Sequence, residues 1–110
     1  MTIDPVVEVL IEALHGEPGA QTALWVRLVH DFPDLPATQL CAAFNAAADA
    51  IEKMFAREGQ PPRQATQARA LAKAIAHDIG LIDASIAPDV AALGQVWAAG
   101  KGRFPAGLAS

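Results

Sequence analysis

Apolar residues recur every three or four positions along most of the chain, which is the spacing of a helix with one buried face. The clearest series lies between residues 36 and 58 and consists of Leu40, Phe44, Ala47, Ile51, Met54 and Phe55. Pro33 and Pro36 precede the series, and the letters GQPP follow it at 59–62. Because proline and glycine interrupt helices, the pattern predicts one long central helix over 36–58.

Four shorter stretches show the same spacing between helix start and stop signals. The first begins at Asp4-Pro5, a capping residue followed by a proline, and ends at Gly16. The predicted helices cover 5–15, from about 18 or 20 to 30, 63–79, and 88–100. For the segment 81–86 we expect a turn with one helical piece.

These elements predict an all-α protein, a compact bundle of four or five helices in a single domain. The 110 residues suit one domain, and a content of 53% hydrophobic residues is enough to form a core. We expect the helices over 36–58 and 63–79 to form an antiparallel central hairpin. Residues 1–100 are assigned to the helical bundle. Residues 101–110 are assigned to an irregular tail, pinned by Phe104 and Leu108.

Composition limits the cellular locations and the kinds of partner that we expect for this protein. Cys41 is the only cysteine, so an intramolecular disulfide is excluded and a reducing, cytoplasmic location is expected. The acids Asp4, Glu8 and Glu12 do not fit a secretory signal, and no apolar run approaches the roughly 20 residues of a membrane-spanning helix. The net charge of −4 disfavours general affinity for nucleic acids.

Positive charge is concentrated in one segment. The bases there are Lys53, Arg57, Arg63, Arg69 and Lys73. In an antiparallel hairpin, the pair Lys53 and Arg57 would come near the pair Arg69 and Lys73. We call these five residues the basic corner; one hypothesis is that it binds an anion, a nucleic-acid backbone or an acidic protein partner. The alternative is ordinary solvation, with Asp49 pairing with Lys53.

The central helix also suggests self-association. Its large apolar residues Leu40, Phe44, Ile51 and Phe55 could meet the same residues of a second copy in a homodimer. The alternative is that this stripe is the core of a single chain.

Residues 75–86 resemble a helix-turn-helix in spacing, with a glycine turn between apolar residues. Such a motif needs an exposed second helix that enters the major groove of DNA. Pro88 lies where that helix should continue, and Asp83 and Asp89 would face phosphates. A bundle turn closed by Gly80 is the alternative.

The histidines indicate structure more than catalysis. His15, His30 and His77 all fall in the last turn of a predicted helix, where an imidazole stabilises the helix dipole. His30 and His77 each precede an aspartate, but neighbouring helix positions point about 100° apart, so neither pair is expected to act as a dyad. We predict no catalytic residues.

Two further candidates for chemistry are also given structural interpretations. Glu12 and His15 match the Glu-x-x-His spacing of di-iron bundles, but the chain has only one such motif. Cys41 is near the start of a helix, where thiols can be activated, yet it shares the buried stripe of Phe44. We therefore expect a core thiol, no metal site and no cofactor.

The sequence predicts a non-enzymatic interaction or regulatory domain that binds a protein partner or itself. One alternative is a degenerate helix-turn-helix regulator that binds DNA. Another is a small bundle that binds a ligand or metal, with Trp25, His30 and Asp31 as the best candidate lining.

Overall fold

Six helices contain most of the residues that the computed structural model describes, which are 5–16, 23–54 and 63–109. In chain order they are α1 (Pro5–Leu14), α2 (Leu24–Asp31), α3 (Ala37–Met54), α4 (Arg63–Ile79), α5 (Val90–Ala98) and α6 (Phe104–Ala109). None of these six is long and apolar enough to cross a membrane. Apart from one bridge between Pro36 and Asp89, the described ranges contain no β-structure. The all-α bundle is confirmed, and the described ranges alone contain six helices, more than the four or five predicted.

Helix boundaries follow the sequence signals closely where those signals are local. α4 has the predicted limits, and α1 ends one residue early. α2 begins only at Leu24, after a turn at Ala23. α5 begins at Val90, two residues later than predicted, because Asp89 caps it by accepting the Ala92 N–H at 2.9 Å. The predicted end of the central helix, at 55–58, lies outside the described residues.

α3 and α4 pack as an antiparallel hairpin at the centre of the bundle. Glu52, near the end of α3, meets Arg69 in the first half of α4, whereas Cys41, near the start of α3, reaches Ala72 further along α4. α1 packs against α3, and α2 packs against α5. The predicted central hairpin is therefore present.

The self-association stripe is interior to the single chain. Leu40, Phe44 and Ile51 are each 0% exposed, so none of them is available to a second copy of the folded protein. Phe55 lies outside the described residues. Met54, expected on the same inward face, is 59% exposed. The alternative interpretation of the stripe, as intramolecular core, is the correct one for the three buried residues.

The starts of α3 and α5 are joined by backbone hydrogen bonds. Ala37 donates its N–H to the Pro88 carbonyl, and Val90 donates to the Leu35 carbonyl, both at 2.9 Å. Ala91 donates to the carbonyl of Pro33 at 3.0 Å. These bonds satisfy N–H groups that the first turn of a helix leaves without an intrahelical partner.

The segment after α4 does not form the second helix of a helix-turn-helix. Residues 81–89 contain turns and bends only, so the helical piece expected within 81–86 is absent. Asp83 organises this loop by accepting hydrogen bonds from both the N–H and the hydroxyl of Ser85, at 2.9 and 2.8 Å. Because no helix begins until Val90, the geometric requirement for reading a major groove is not met.

The irregular tail predicted over 101–110 is wrong for 104–109, which form α6. The expected pinning is confirmed, since Phe104 is 0% exposed and Leu108 is 3% exposed. The Phe104 ring lies 5.5 Å from the Phe44 ring and 4.7 Å from the Trp97 ring, measured between centroids. A six-residue helix containing proline and glycine has little local preference to form, so these tertiary contacts stabilise it.

Candidate functional site

The exposed surface of α4 forms a ridge with an open groove on each side. The ridge consists of Thr66, Ala70, Lys73 and His77, all exposed. Core residues such as Leu71 and Ile75 occupy the opposite side of the helix. We refer to the ridge with its two grooves as the α4 face.

The first groove separates α4 from α6 and has a volume of about 330 Å³. Its lining consists of Arg63, Thr66, Gln67, Ala70, Leu71, Ala74 and Gly107. Gly107 brings the α6 backbone close to α4, since a Cβ atom there would lie 2.9 Å from Leu71 Cδ2. The groove is therefore mainly apolar, and Arg63 is the one cation in its lining.

The second groove separates α4 from α3 and has a volume of about 410 Å³. It is lined by Cys41, Asn45, Arg69, Ala72, Lys73 and Ala76. A third groove of about 280 Å³, between α1 and α3, is lined by Val7, Gln39, Ala42, Ala43 and Ala46. The two grooves beside α4 thus carry positive charge, whereas the lining of the third carries none.

Of the four described residues of the basic corner, Arg69 is paired with carboxylates of the protein itself. Arg69 donates hydrogen bonds to Asp49 at 2.8 Å and to Glu52 at 2.7 and 3.0 Å. These bonds raise the pKa of Arg69 and compensate its charge within the protein. Asp49 therefore pairs with Arg69, not with Lys53 as the solvation alternative expected.

The other described bases of the corner remain exposed. Lys53, Arg63 and Lys73 have no ion-pair partner among the described residues. Arg57 lies outside those residues. Arg63 and Lys73 are separated by ten positions, about 15 Å along a helix. The structure places one available cation in each groove of the α4 face.

Cys41 is a half-buried thiol packed against the edge of the core, so the predicted core thiol is confirmed only in part. Its Sγ lies 3.6 Å from the Ala72 carbonyl oxygen, to which it donates a hydrogen bond. Burial raises the pKa of the Cys41 thiol. Because the thiolate is the nucleophilic form, this environment works against reactivity at neutral pH.

Asp78 is a buried charge that the sequence analysis missed. Its carboxylate is 0% exposed and accepts four hydrogen bonds. The donors are the Trp97 indole at 2.9 Å, the Arg103 N–H at 2.7 Å, the Phe104 N–H at 2.9 Å and His77 Nδ1 at 3.0 Å. Burial raises the pKa of Asp78, but the four hydrogen bonds outweigh it and hold the pKa below its ordinary value of 3.8.

A sequence signal for Asp78 did exist. Position 78 follows Leu71 by seven residues and Ile75 by three, so it falls on the buried side of α4. A carboxylate there must find hydrogen-bond donors, since burying an unpaired charge is very unfavourable. The side chain connects α4 to α5 and to the start of α6, which is a structural role.

Both neighbouring His–Asp pairs form contacts, which do not test the expectation that neither pair acts as a catalytic dyad. His30 Nδ1 lies 2.8 Å from Asp31 Oδ1, and His77 Nδ1 lies 3.0 Å from Asp78 Oδ1. The hydrogen bond from His30 is the main cause that lowers the pKa of Asp31. Flexible χ angles allow adjacent side chains to lean together even though their Cα–Cβ bonds diverge.

The remaining candidates do not converge on a pocket. The Trp25 ring packs against Trp97 with centroids 6.1 Å apart, whereas the His30 side chain is 86% exposed. His15 Nδ1 lies 2.9 Å from the Ile11 carbonyl oxygen, as expected of an imidazole at a helix C-terminus. Within the described ranges, no group of three His, Cys, Asp or Glu residues is placed to hold a metal ion.

No known protein family, curated protein or solved structure matches this chain.

Proposed function

We propose that this protein is a non-enzymatic interaction domain that binds a protein partner through the α4 face. The observation that carries the proposal is the pair of open grooves beside α4, each with one exposed cation that has no ion-pair partner among the described residues. Helices pack by setting ridges of side chains into grooves. The α4 face has a ridge bordered by two grooves, so it has the shape of a helix-packing surface, but it is exposed to solvent.

The chemistry of the site supports binding more than catalysis. In the second groove, burial raises the pKa of the Cys41 thiol, and Arg69 is held by two carboxylates. His77, on the ridge, is bonded to Asp78. These polar groups are engaged in holding the fold, and the cations Arg63 and Lys73 remain for a partner.

The other functions considered from the sequence have less support. A DNA-binding regulator needs an exposed helix directly after Gly80, and residues 81–89 are not helical. A ligand-binding bundle is supported best by a concave pocket with converging polar groups, whereas the grooves of the α4 face are open. A cytoplasmic location is supported only by the single free cysteine.

Site-directed photo-crosslinking in the source cells tests the proposal. A photoreactive amino acid replaces Ala70 on the ridge, and the control carries it at Ala98, an exposed position on α5. We expect a covalent protein product from position 70 and none from position 98. A product of twice the chain mass would identify a homodimer, and a larger or smaller product would identify a different partner. If position 70 gives no more product than position 98, the proposal is wrong.

A further inference from the structure

We infer that the partner segment recognised by the α4 face is an acidic amphipathic helix. This inference rests on the proposed function and specifies the chemistry of the partner. It follows from the charge and shape of the two grooves, considered together.

The two available cations of the α4 face lie in different grooves and at different positions along the helix. Arg63 lies in the groove towards α6 and Lys73 in the groove towards α3, ten positions further along the same helix. Asp49 and Glu52, on α3 beside the second groove, are already bonded to Arg69. A partner with negative charge at both positions could therefore form ion pairs with two cations that have no such partner among the described residues.

The separation of the two cations along the α4 axis is compatible with a helical partner. Ten residues of α4 correspond to about 15 Å, and two acids ten or eleven residues apart on a second helix span a similar distance on one face. A helix that crosses the α4 ridge would present one acid to each groove, while its intervening side chains contact the ridge and the apolar lining of the first groove. An extended segment would cover the same distance in about five residues, with side chains alternating between its two faces.

The first groove, beside Arg63, favours apolar side chains of the partner. Leu71, Ala74 and Gly107 form much of the lining beside Arg63. On the α6 side of this groove, Gly107 has no side chain that would fill the space. A leucine or methionine one or two turns from the partner's acid would bury apolar surface there. The expected segment is thus acidic at its edges and aliphatic in the middle.

A designed peptide tests the inference directly. The probe is a helical peptide of about 18 residues, with two glutamates eleven residues apart and two leucines between them on the same face. A matched peptide has lysines in place of the glutamates. Binding to the full chain is measured by fluorescence anisotropy, and amide chemical shifts locate the site.

We expect the glutamate peptide to bind and to shift the amides of Ala70, Ala74 and Gly107. Arg63→Glu and Lys73→Glu should each weaken binding by about three- to fivefold, because each replaces an exposed attraction with a repulsion. Lys101→Glu, an equal change of charge at another exposed position, should alter binding by less than about twofold. The double variant R63E/K73E should prefer the lysine peptide.

Two outcomes would overturn the inference. One is equal binding of the glutamate and lysine peptides to the wild-type protein. The other is unchanged binding in the Arg63→Glu and Lys73→Glu variants, with circular dichroism showing that they are folded. If either occurs while position 70 still crosslinks a protein, the α4 face remains an interaction surface and only the acidic-helix specificity fails.

Discussion

Asp78 illustrates how one residue can connect distant parts of a small chain. Its two carboxylate oxygens each accept two hydrogen bonds, and the donors come from α4, from α5 and from the start of α6. Gly102 allows the backbone to pass close to the Asp78 carboxylate. This glycine has a φ of 89°, and a Cβ atom there would lie 2.8 Å from Asp78 Oδ2. The last helix is therefore held by a carboxylate as well as by Phe104.

The substitution Asp78→Asn should lower the free energy of unfolding by about 3 kcal/mol, because it leaves buried donors facing an amide NH₂ group. Urea denaturation followed by tryptophan fluorescence measures this change. The matched control is Asp83→Asn in the exposed loop, where the amide oxygen can still accept both bonds from Ser85. Equal stability of Asp78→Asn and the wild type would show that the four hydrogen bonds do not hold the fold.

At the residue scale, the sequence predicted roles that depend on local position. The partial burial of the Cys41 thiol and the C-terminal position of His15 follow from where each lies on its helix. The role of Asp78 depends on Trp97 and Phe104, which are close only after folding. The contact between His30 and Asp31 was missed because helical angles describe Cβ directions, not side-chain conformations.

The close packing of α2 against α5 depends on one residue of α5, Gly94. A Cβ atom at this position would lie only 2.6 Å from Val29 Cγ2 and 3.2 Å from Val29 Cγ1. A β-branched valine in a helix has essentially one favoured rotamer and cannot turn away. The two helices can therefore approach this closely only because residue 94 lacks a side chain.

Gly94→Ala is expected to destabilise the protein by about 1–2 kcal/mol, since an overpacking cost of about 2–3 kcal/mol is only partly offset by the roughly 1 kcal/mol that alanine gains in helix propensity. Thermal unfolding of the variant measures the effect. The double variant with Val29→Ala provides the control, because it removes the γ-methyl groups that the new Cβ would meet. A single variant as stable as the wild type, or a double variant without recovery, would contradict this account.

At the element scale, prediction succeeded where the signals are contained in the element itself. α4 carries its own apolar period and its own stop at Gly80, and its limits were predicted correctly. α6 has no such signals, since its six residues fold onto Phe44 and Trp97 from other helices. In the loop at 81–89, Leu81 and Ile86 are 45% and 44% exposed and only Ile82 packs against the core, so the loop has no continuous buried face that would stabilise a helix.

For the whole molecule, the lowered pKa of Asp78 makes stability depend on acid pH. The unfolded chain binds a proton near the ordinary pKa, and the folded chain binds it only at lower pH. The stabilisation from Asp78 is therefore complete above the ordinary value and is lost as the pH falls through the folded-state pKa.

The difference in unfolding free energy between the wild type and Asp78→Asn should be largest at pH 7 and should shrink below about pH 4. Urea titrations of both proteins at several pH values measure it. Asp31 and Asp83 also have lowered pKa values, but they are present in both proteins and cancel in the difference. A difference that stays constant down to pH 2 would rule out Asp78 as the titrating group.

The candidate site was predicted only in part. Sequence located positive charge in the segment from Lys53 to Lys73, and two of its exposed cations border the α4 face. The sequence does not show which bases remain free to bind a partner. That depends on the rotation of α3 and α4 about their own axes, because this rotation brings Arg69 to Asp49 and Glu52. The first groove also depends on α6, which the sequence did not predict.

The backbone bonds between the starts of α3 and α5 also determine where the chain tolerates insertions. An extra residue between Pro33 and Pro36 would shift Leu35 away from the Val90 N–H and disturb the first turns of two helices together. The loop at 83–86 is closed only by bonds among its own residues. An epitope tag or a fluorescent label inserted at 84–85 would therefore leave the bundle intact, whereas the same insertion at 34–35 would separate α3 from α5.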